Sequence, residues 1–166
     1  MFQYHSQNFF FQTAAELLDQ ESESLARLIG RDIRECWIAI DSDGSWFNDE
    51  PAVLLFDDLQ LEIAVYQIGL LSITWNSIDL GQSPNWLGCW EQIDGLRWQR
   101  ATQPEFQHAT GKSIHSLLIA SDDTGVAGIQ VAHDGGFLSI FNALDELGVA
   151  DGELEASQYV LHPLKD

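Results

Sequence analysis

Gly30-Arg31-Asp32-Ile33, followed by Ile38-Ala39-Ile40-Asp41, returns later in the chain as Gly111-Lys112-Ser113-Ile114, followed by Ile119-Ala120-Ser121-Asp122. Each copy runs glycine, a cation, any residue, isoleucine, and then Ile-Ala-x-Asp at the same offset. Further on, with six fewer residues in the intervening loop, Leu61-Glu62-Ile63-Ala64-Val65-Tyr66 aligns with Gly136-Phe137-Leu138-Ser139-Ile140-Phe141. A helical turn stands before each glycine, Leu25 to Ile29 in the first copy and Phe106 to Thr110 in the second. Pro104 is well placed to open the second turn. The pattern reads as two copies of one unit, a helical turn followed by an antiparallel β-meander. The competing reading is coincidence, because any two meanders share alternation and turn residues.

Working outward from the repeat, the segment before Gly30 is a helix over about 13–29. Thr13-Ala14-Ala15-Glu16 is a capping box, in which the Thr13 hydroxyl accepts from the Glu16 amide and the Glu16 side chain reaches back to the Thr13 amide. Leu18, Leu25, Leu28 and Ile29 recur at helical spacing with Asp19, Gln20, Glu23 and Ser24 between them. Gly30 stands where a left-handed capping residue belongs. After it, Ile33 to Ile40, Ala52 to Phe56, Leu61 to Tyr66 and Ser72 to Trp75 read as strands, with Asp41-Ser42-Asp43-Gly44-Ser45 and Asp57-Asp58 as turns. Three or four strands with one apolar face do not stand alone, so the two meanders should share a core. The predicted fold class is α+β: an N-terminal helix plus two similar antiparallel β-meander units, an internal duplication, sharing one core. Residues 1–166 form a single domain, with 12–75 as the first helix-plus-meander unit, 76–110 as a Trp-rich connector and 104–166 as the second unit.

Length and composition agree with one folded domain. The chain has 166 residues, 45% hydrophobic and 20% charged, which suits a globular core without disulfide or metal support. The charge is the unusual quantity. Seven Lys and Arg against 26 Asp and Glu give −19, which excludes a general nucleic-acid or anionic-membrane binder, since phosphate recognition needs cations. No run approaches the roughly 20 apolar residues of a membrane-spanning helix. Residues 1–11 lack the cationic start and unbroken apolar run of a secretory signal, so a cytoplasmic location is expected. Cys36 and Cys89 then read as reduced, buried core residues, with a disulfide between them as the alternative.

Candidate chemistry is sparse. Asp41-x-Asp43-Gly44 with Asp49 and Glu50 resembles a calcium loop superficially, but its glycine falls at position 4 and Ala52 occupies the position of the closing glutamate. His133-Asp134-Gly135-Gly136 offers a histidine beside an acid, yet reads better as a tight turn. His108 and His115 straddle the Gly111 boundary. No nucleophile elbow, phosphate loop or Cys/His cluster occurs. The expectation is no enzyme, no catalytic residue, no cofactor and no metal site.

What remains is acidic surface. Spread evenly over the roughly 8,000 Å² that this mass predicts, the charge would merely solubilise the chain. Clusters could steer and hold a basic partner. The densest are Asp41, Asp43, Asp49 and Glu50 around Trp46, then Asp57 and Asp58, then Asp145 and Glu146 with Asp151, Glu153 and Glu155. These are the candidate partner-binding residues; solvated loop tips are the plainer account. Trp86, Trp90 and Trp98 in the connector read as a plug at the seam between copies. Their sharper alternatives are a partner-binding patch or a Trp-lined small-molecule pocket.

A short, strongly acidic α+β chain without a catalytic set resembles bacterial immunity proteins, in particular those paired with contact-dependent growth-inhibition toxins. The likeness is one of general character over the whole chain and carries over no individual residue. It implies one-to-one binding to a cognate toxin domain, often a basic nuclease, and blockage of that domain's active site.

Overall fold

A computed structural model describes residues 10–85 and 93–166. The first half runs α1 (Ala14–Ala26), β1 (Glu35–Ile40), β2 (Ala52–Leu55), β3 (Gln60–Val65), β4 (Leu71–Trp75) and β5 (Arg97–Arg100). The second runs α2 (Pro104–Ala109), β6 (Ile114–Asp122), β7 (Gly125–His133), β8 (Gly136–Asn142), β9 (Leu147–Ala150) and β10 (Val160–Pro163). Each half makes one five-stranded antiparallel sheet, ordered β4-β3-β2-β1-β5 and β10-β6-β7-β8-β9. The topology is the same in both. A helix leads into a four-stranded meander, and a fifth strand returns to the outer edge of the first. The strands β3 and β8, aligned in sequence above, are the third members of their meanders.

The repeated tetrapeptides meet at the junction of the two halves. Gly30 N donates to Ile114 O (2.7 Å) and Gly111 N to Ile33 O (2.6 Å), while Ile33 N donates to Lys112 O and Ile114 N to Arg31 O (2.9 Å each). Replacing each residue by its counterpart in the other copy exchanges these bonds among themselves. Asp32 and Ser113 sit opposite each other at the centre. An approximate two-fold axis therefore passes between them. Gly30 and Gly111 hold φ of +85° and +80°, which L side chains adopt only at a cost.

Alternation along the strands builds the core. Cys36, Ile38 and Ile40 of β1, Leu54 of β2, and Leu61, Ile63 and Val65 of β3 face inward. They join Ile119, Ile129, Val131, Leu138 and Ile140 of the second sheet, with Leu17 and Leu25 of α1 and Phe106 of α2, in one cluster. The helix α1 opens at its expected N-cap, with Thr13 Oγ1 accepting from Glu16 N at 3.2 Å, the first of the two bonds of a capping box. It ends at Ala26, earlier than predicted, and a tight turn carries the chain on to Gly30. Ile29 consequently points out, 46% exposed, instead of joining the apolar stripe.

The outward faces are also covered. On the first sheet Ala39, Val53, Ala64 and Trp98 pack with Ile78. The connector thus contributes β5 and Trp98 to the first sheet's outer face, and Trp98 is not a plug at the seam between copies. Trp86, Trp90 and Cys89 lie outside the described residues. Glu62, on the same outward face of β3, is 1% exposed. Its Oε1 accepts from Ser77 N (2.7 Å), Ile78 N (2.9 Å) and Gln60 Nε2 (2.7 Å), and its Oε2 from Thr74 Oγ1 (2.5 Å) and Ser77 Oγ (2.8 Å). The second sheet ties its covering loop more lightly, with Gln130 Oε1 accepting from Leu154 N and Ser139 Oγ donating to Gly152 O (2.7 Å each).

Candidate functional site

A two-fold axis that joins the halves at residues 30–33 and 111–114 sends corresponding turns of both sheets to the opposite end. There the β1–β2 loop (41–51), the β3–β4 turn (66–70), the β6–β7 turn (123–124) and the β8–β9 turn (143–146) come together. Val126 N donates to Gly69 O (3.0 Å), Asn142 Nδ2 to Gln67 O (2.7 Å), and Leu147 N to Asn48 O (3.1 Å). Asn48 Nδ2 also donates to Glu146 Oε2 at 3.2 Å. All of these bonds cross from one half to the other.

This turn end is anionic. Asp41, Asp43 and Asp49 come from the β1–β2 loop, Asp122 and Asp123 from the β6–β7 turn, and Asp145 and Glu146 from the β8–β9 turn. Asp94 is added by the approach to β5, where Gly95 lies against Ser42. Arg97, bonded to the Asp41 carbonyl, is the cation beside them. Burial, and then the nearby Glu146 carboxylate, push the Asp49 pKa above its ordinary value. Asp41 and its counterpart Asp122 each fold a turn. Asp41 Oδ1 accepts from Asp43 N and Ser45 N, and Asp122 Oδ1 from Thr124 N.

The bridged end is different. Arg27 pairs with Glu23, Arg31 with Asp58, Arg34 with Asp57 and Asp32, and His115 with Asp134. Elsewhere Arg100 pairs with Glu35, His108 with Asp151, and Lys165 with Asp19. Among the described residues, none of the turn-end carboxylates named above has a cationic side chain within ion-pair distance.

The sequence-derived candidates divide accordingly. Asp41, Asp43, Asp49, Asp145 and Glu146 converge on one surface. Asp57 and Asp58 do not join it, because Arg34 and Arg31 neutralise them at the far end; the adjacent guanidinium holds the Asp57 pKa below the usual carboxylate range. Asp151 is carried away from Glu146 by β9 and approaches His108. Glu153 and Glu155 follow it, exposed, on the loop across the second sheet, on either side of Leu154, which packs on Ala120 and Ala127. Glu50 is buried, 4% exposed. Trp46 packs edge-on against Phe106, ring centroids 6.0 Å apart, and serves the core more than the surface. Asp94, Asp122 and Asp123 escaped the sequence reading. The repeat itself held the signal, since Asp122 is the counterpart of Asp41.

Exposed apolar side chains gather at the same end. Tyr66 (52%), Ile68 (49%), Ile93 (44%), Leu144 (81%) and Val160 (59%) all lie on or next to the turns, and among the described residues only Ile29 is at the bridged end. Leu144 and Asp145 are the central residues of a two-residue hairpin turn, with φ of +58° and +75°. This is type I′ geometry, which favours Asn-Gly. A leucine there costs about 1–2 kcal/mol relative to glycine.

Two groups apart from this surface have defined chemistry. The Cys36 thiol is buried and pushed up to about 12, chiefly by burial. His133, 5% exposed, accepts at Nδ1 from Gly135 N. Burial lowers its pKa, with Lys112 and His108 acting in the same direction against the Phe137 carbonyl and Asp134. The folded state therefore takes up the His133 proton less readily than the unfolded chain, which protonates it near pH 6.5. Its contribution to stability is present above that pH and is lost as pH falls below it. Denaturant unfolding at pH 7.5 and 5.5 should show a smaller unfolding free energy at the lower pH, and His133→Gln should flatten that difference.

Compared with family models, with curated proteins and with solved structures, the chain matches none. Among the described residues no helix is long and apolar enough to cross a membrane.

Proposed function

We propose that this chain is an immunity-type binding protein that neutralises a cognate basic toxin domain, a nuclease in the simplest case, by laying its turn end over the toxin's substrate cleft. The observation that supports this is the partition of charge. Arginines and a lysine offset carboxylates elsewhere, while those at the turn end have no cationic partner within ion-pair distance among the described residues. Unpaired carboxylates on one face concentrate the field there, speed encounter with a cationic surface and exclude anionic competitors. Against a nuclease they would stand where substrate phosphates bind. The chain itself makes and breaks no bond in this reading. A Trp-lined pocket is the weaker alternative, because Trp98 is packed among Ala39, Val53, Ala64 and Ile78.

Co-expression with the product of the adjacent upstream gene is the direct test. The neighbour should be toxic alone, be neutralised by this chain, and stay with it through gel filtration. A harmless neighbour, or one that elutes separately, refutes the reading. In the complex, Asp49→Asn with Asp145→Asn and Glu146→Gln should weaken binding roughly tenfold at low salt and flatten its salt dependence. Asp57→Asn with Asp58→Asn, at the far end, should leave affinity within about twofold. Calorimetry at 50 and 300 mM salt, concentrations chosen to vary screening, separates the two.

A further inference from the structure

Resting on the partner reading above, we propose that Leu144 is an apolar anchor, supported by Ile68 and Tyr66 on the adjoining turn, that enters an apolar depression rimmed by lysine and arginine on the partner protein. Leu144 stands at the tip of the β8–β9 turn, 81% exposed and at φ +58°. Neither property benefits the isolated fold. The side chain gives up apolar burial, and the backbone holds a conformation that asparagine or glycine would adopt more easily. Strain kept at an exposed position points to a use outside the fold.

Its surroundings specify the occupant. Asn142 Nδ2 donates to Gln67 O at 2.7 Å, which fastens the β8–β9 turn to the β3–β4 turn. Ile68 and Tyr66, on either side of Gln67, are thereby exposed on the turn to which Leu144's own turn is tied, and Phe10 packs against Tyr66 with ring centroids 5.7 Å apart. Asp145 and Glu146 follow Leu144 in the same turn, and Asp49 lies near enough to Glu146 to feel its charge. An apolar centre within a charged rim is the anatomy of a protein interface, and the rim's sign requires a cationic counterpart. A nucleic acid or an anionic membrane would be repelled by it.

Leu144→Asn tests the assignment without altering charge. The variant should melt slightly higher than the unaltered chain, because asparagine suits the turn. It should bind the upstream-encoded protein at least about tenfold more weakly, with an unchanged salt slope, as expected for loss of a desolvated anchor. Tyr66→Ser with Ile68→Ser should weaken binding in the same way by a smaller factor. Unchanged affinity in Leu144→Asn overturns the anchor while leaving the charge-based function standing. A lower melting temperature overturns the strain on which the anchor depends. Absence of any complex with the unaltered chain removes the function and the anchor together.

Discussion

Replacing Glu62 with alanine is expected to lower the unfolding free energy by about 3–5 kcal/mol, a large part of the 5–15 kcal/mol typical of a domain. The carboxylate is almost wholly buried and accepts from five donors, two of them the main-chain N–H groups of Ser77 and Ile78. Alanine removes every acceptor at once; the Ile78 N–H is left buried without its partner, at a cost of about 1–3 kcal/mol, and the half-buried Thr74 and Gln60 lose theirs as well. The loop at 76–80 should loosen first, because these bonds tie it to β3. In a thermal melt the loss corresponds to a drop of roughly 6–20 °C for a domain of this size. Glu62→Gln should cost much less. Its amide oxygen can keep the two N–H groups and Gln60, and the hydroxyls of Thr74 and Ser77 can rotate to accept from the new amide. An alanine variant that melts with the unaltered protein would show that this carboxylate is not what holds the loop.

A comparable loss, about 3–5 kcal/mol, is expected for Gly125→Ala. Gly125 has φ of +142°, a region that L side chains rarely adopt. An added Cβ would also press into the Gly69 carbonyl oxygen and lie 2.8 Å from that of Gln12. The Gly69 carbonyl cannot easily retreat, because it accepts from Val126 N. Strain and collision therefore act together. The contact also fixes the β3–β4 turn of one half against the β6–β7 turn of the other. Gly125→Ala should accordingly weaken partner binding beyond its effect on the melting temperature, as measured on protein held well below its unfolding transition. Conversely, Gly152→Ala has open space around it and should leave stability nearly unchanged.

Much of the architecture was legible in the sequence, and particular residues show why. The capping box at Thr13 and the Gly30/Gly111 tetrapeptides are local signals that report local geometry, and both helix start and repeat are found in the structure. The α+β class and the shared core followed from strand alternation. The closing strands were missed. Arg97–Arg100 has two charged ends and a single buried tryptophan, and Val160–Pro163 has exposed and half-buried positions. Neither looks like a strand, because an edge strand takes its pairing from a neighbour more than from its own pattern. The candidate surface was half legible. Acidic clusters are visible in any sequence, but which ones are neutralised depends on long-range pairs such as Arg34 with Asp57 and Arg31 with Asp58. Likewise Asp49 and Glu146 are distant in the chain, and only the two-fold arrangement makes them neighbours.

The clasp at the molecular axis uses main-chain atoms alone, Gly30 with Ile114 and Gly111 with Ile33. Such a clasp is blind to side-chain identity, save for two glycines. The opposite extremity is joined differently, by turn-to-turn bonds such as Val126 N to Gly69 O and Asn142 Nδ2 to Gln67 O, so only those of its side chains outside the bonds can change at little cost to the frame. One pole is thereby fixed in shape by its backbone, and the other tolerates variety only in the side chains that stand clear of its bonds.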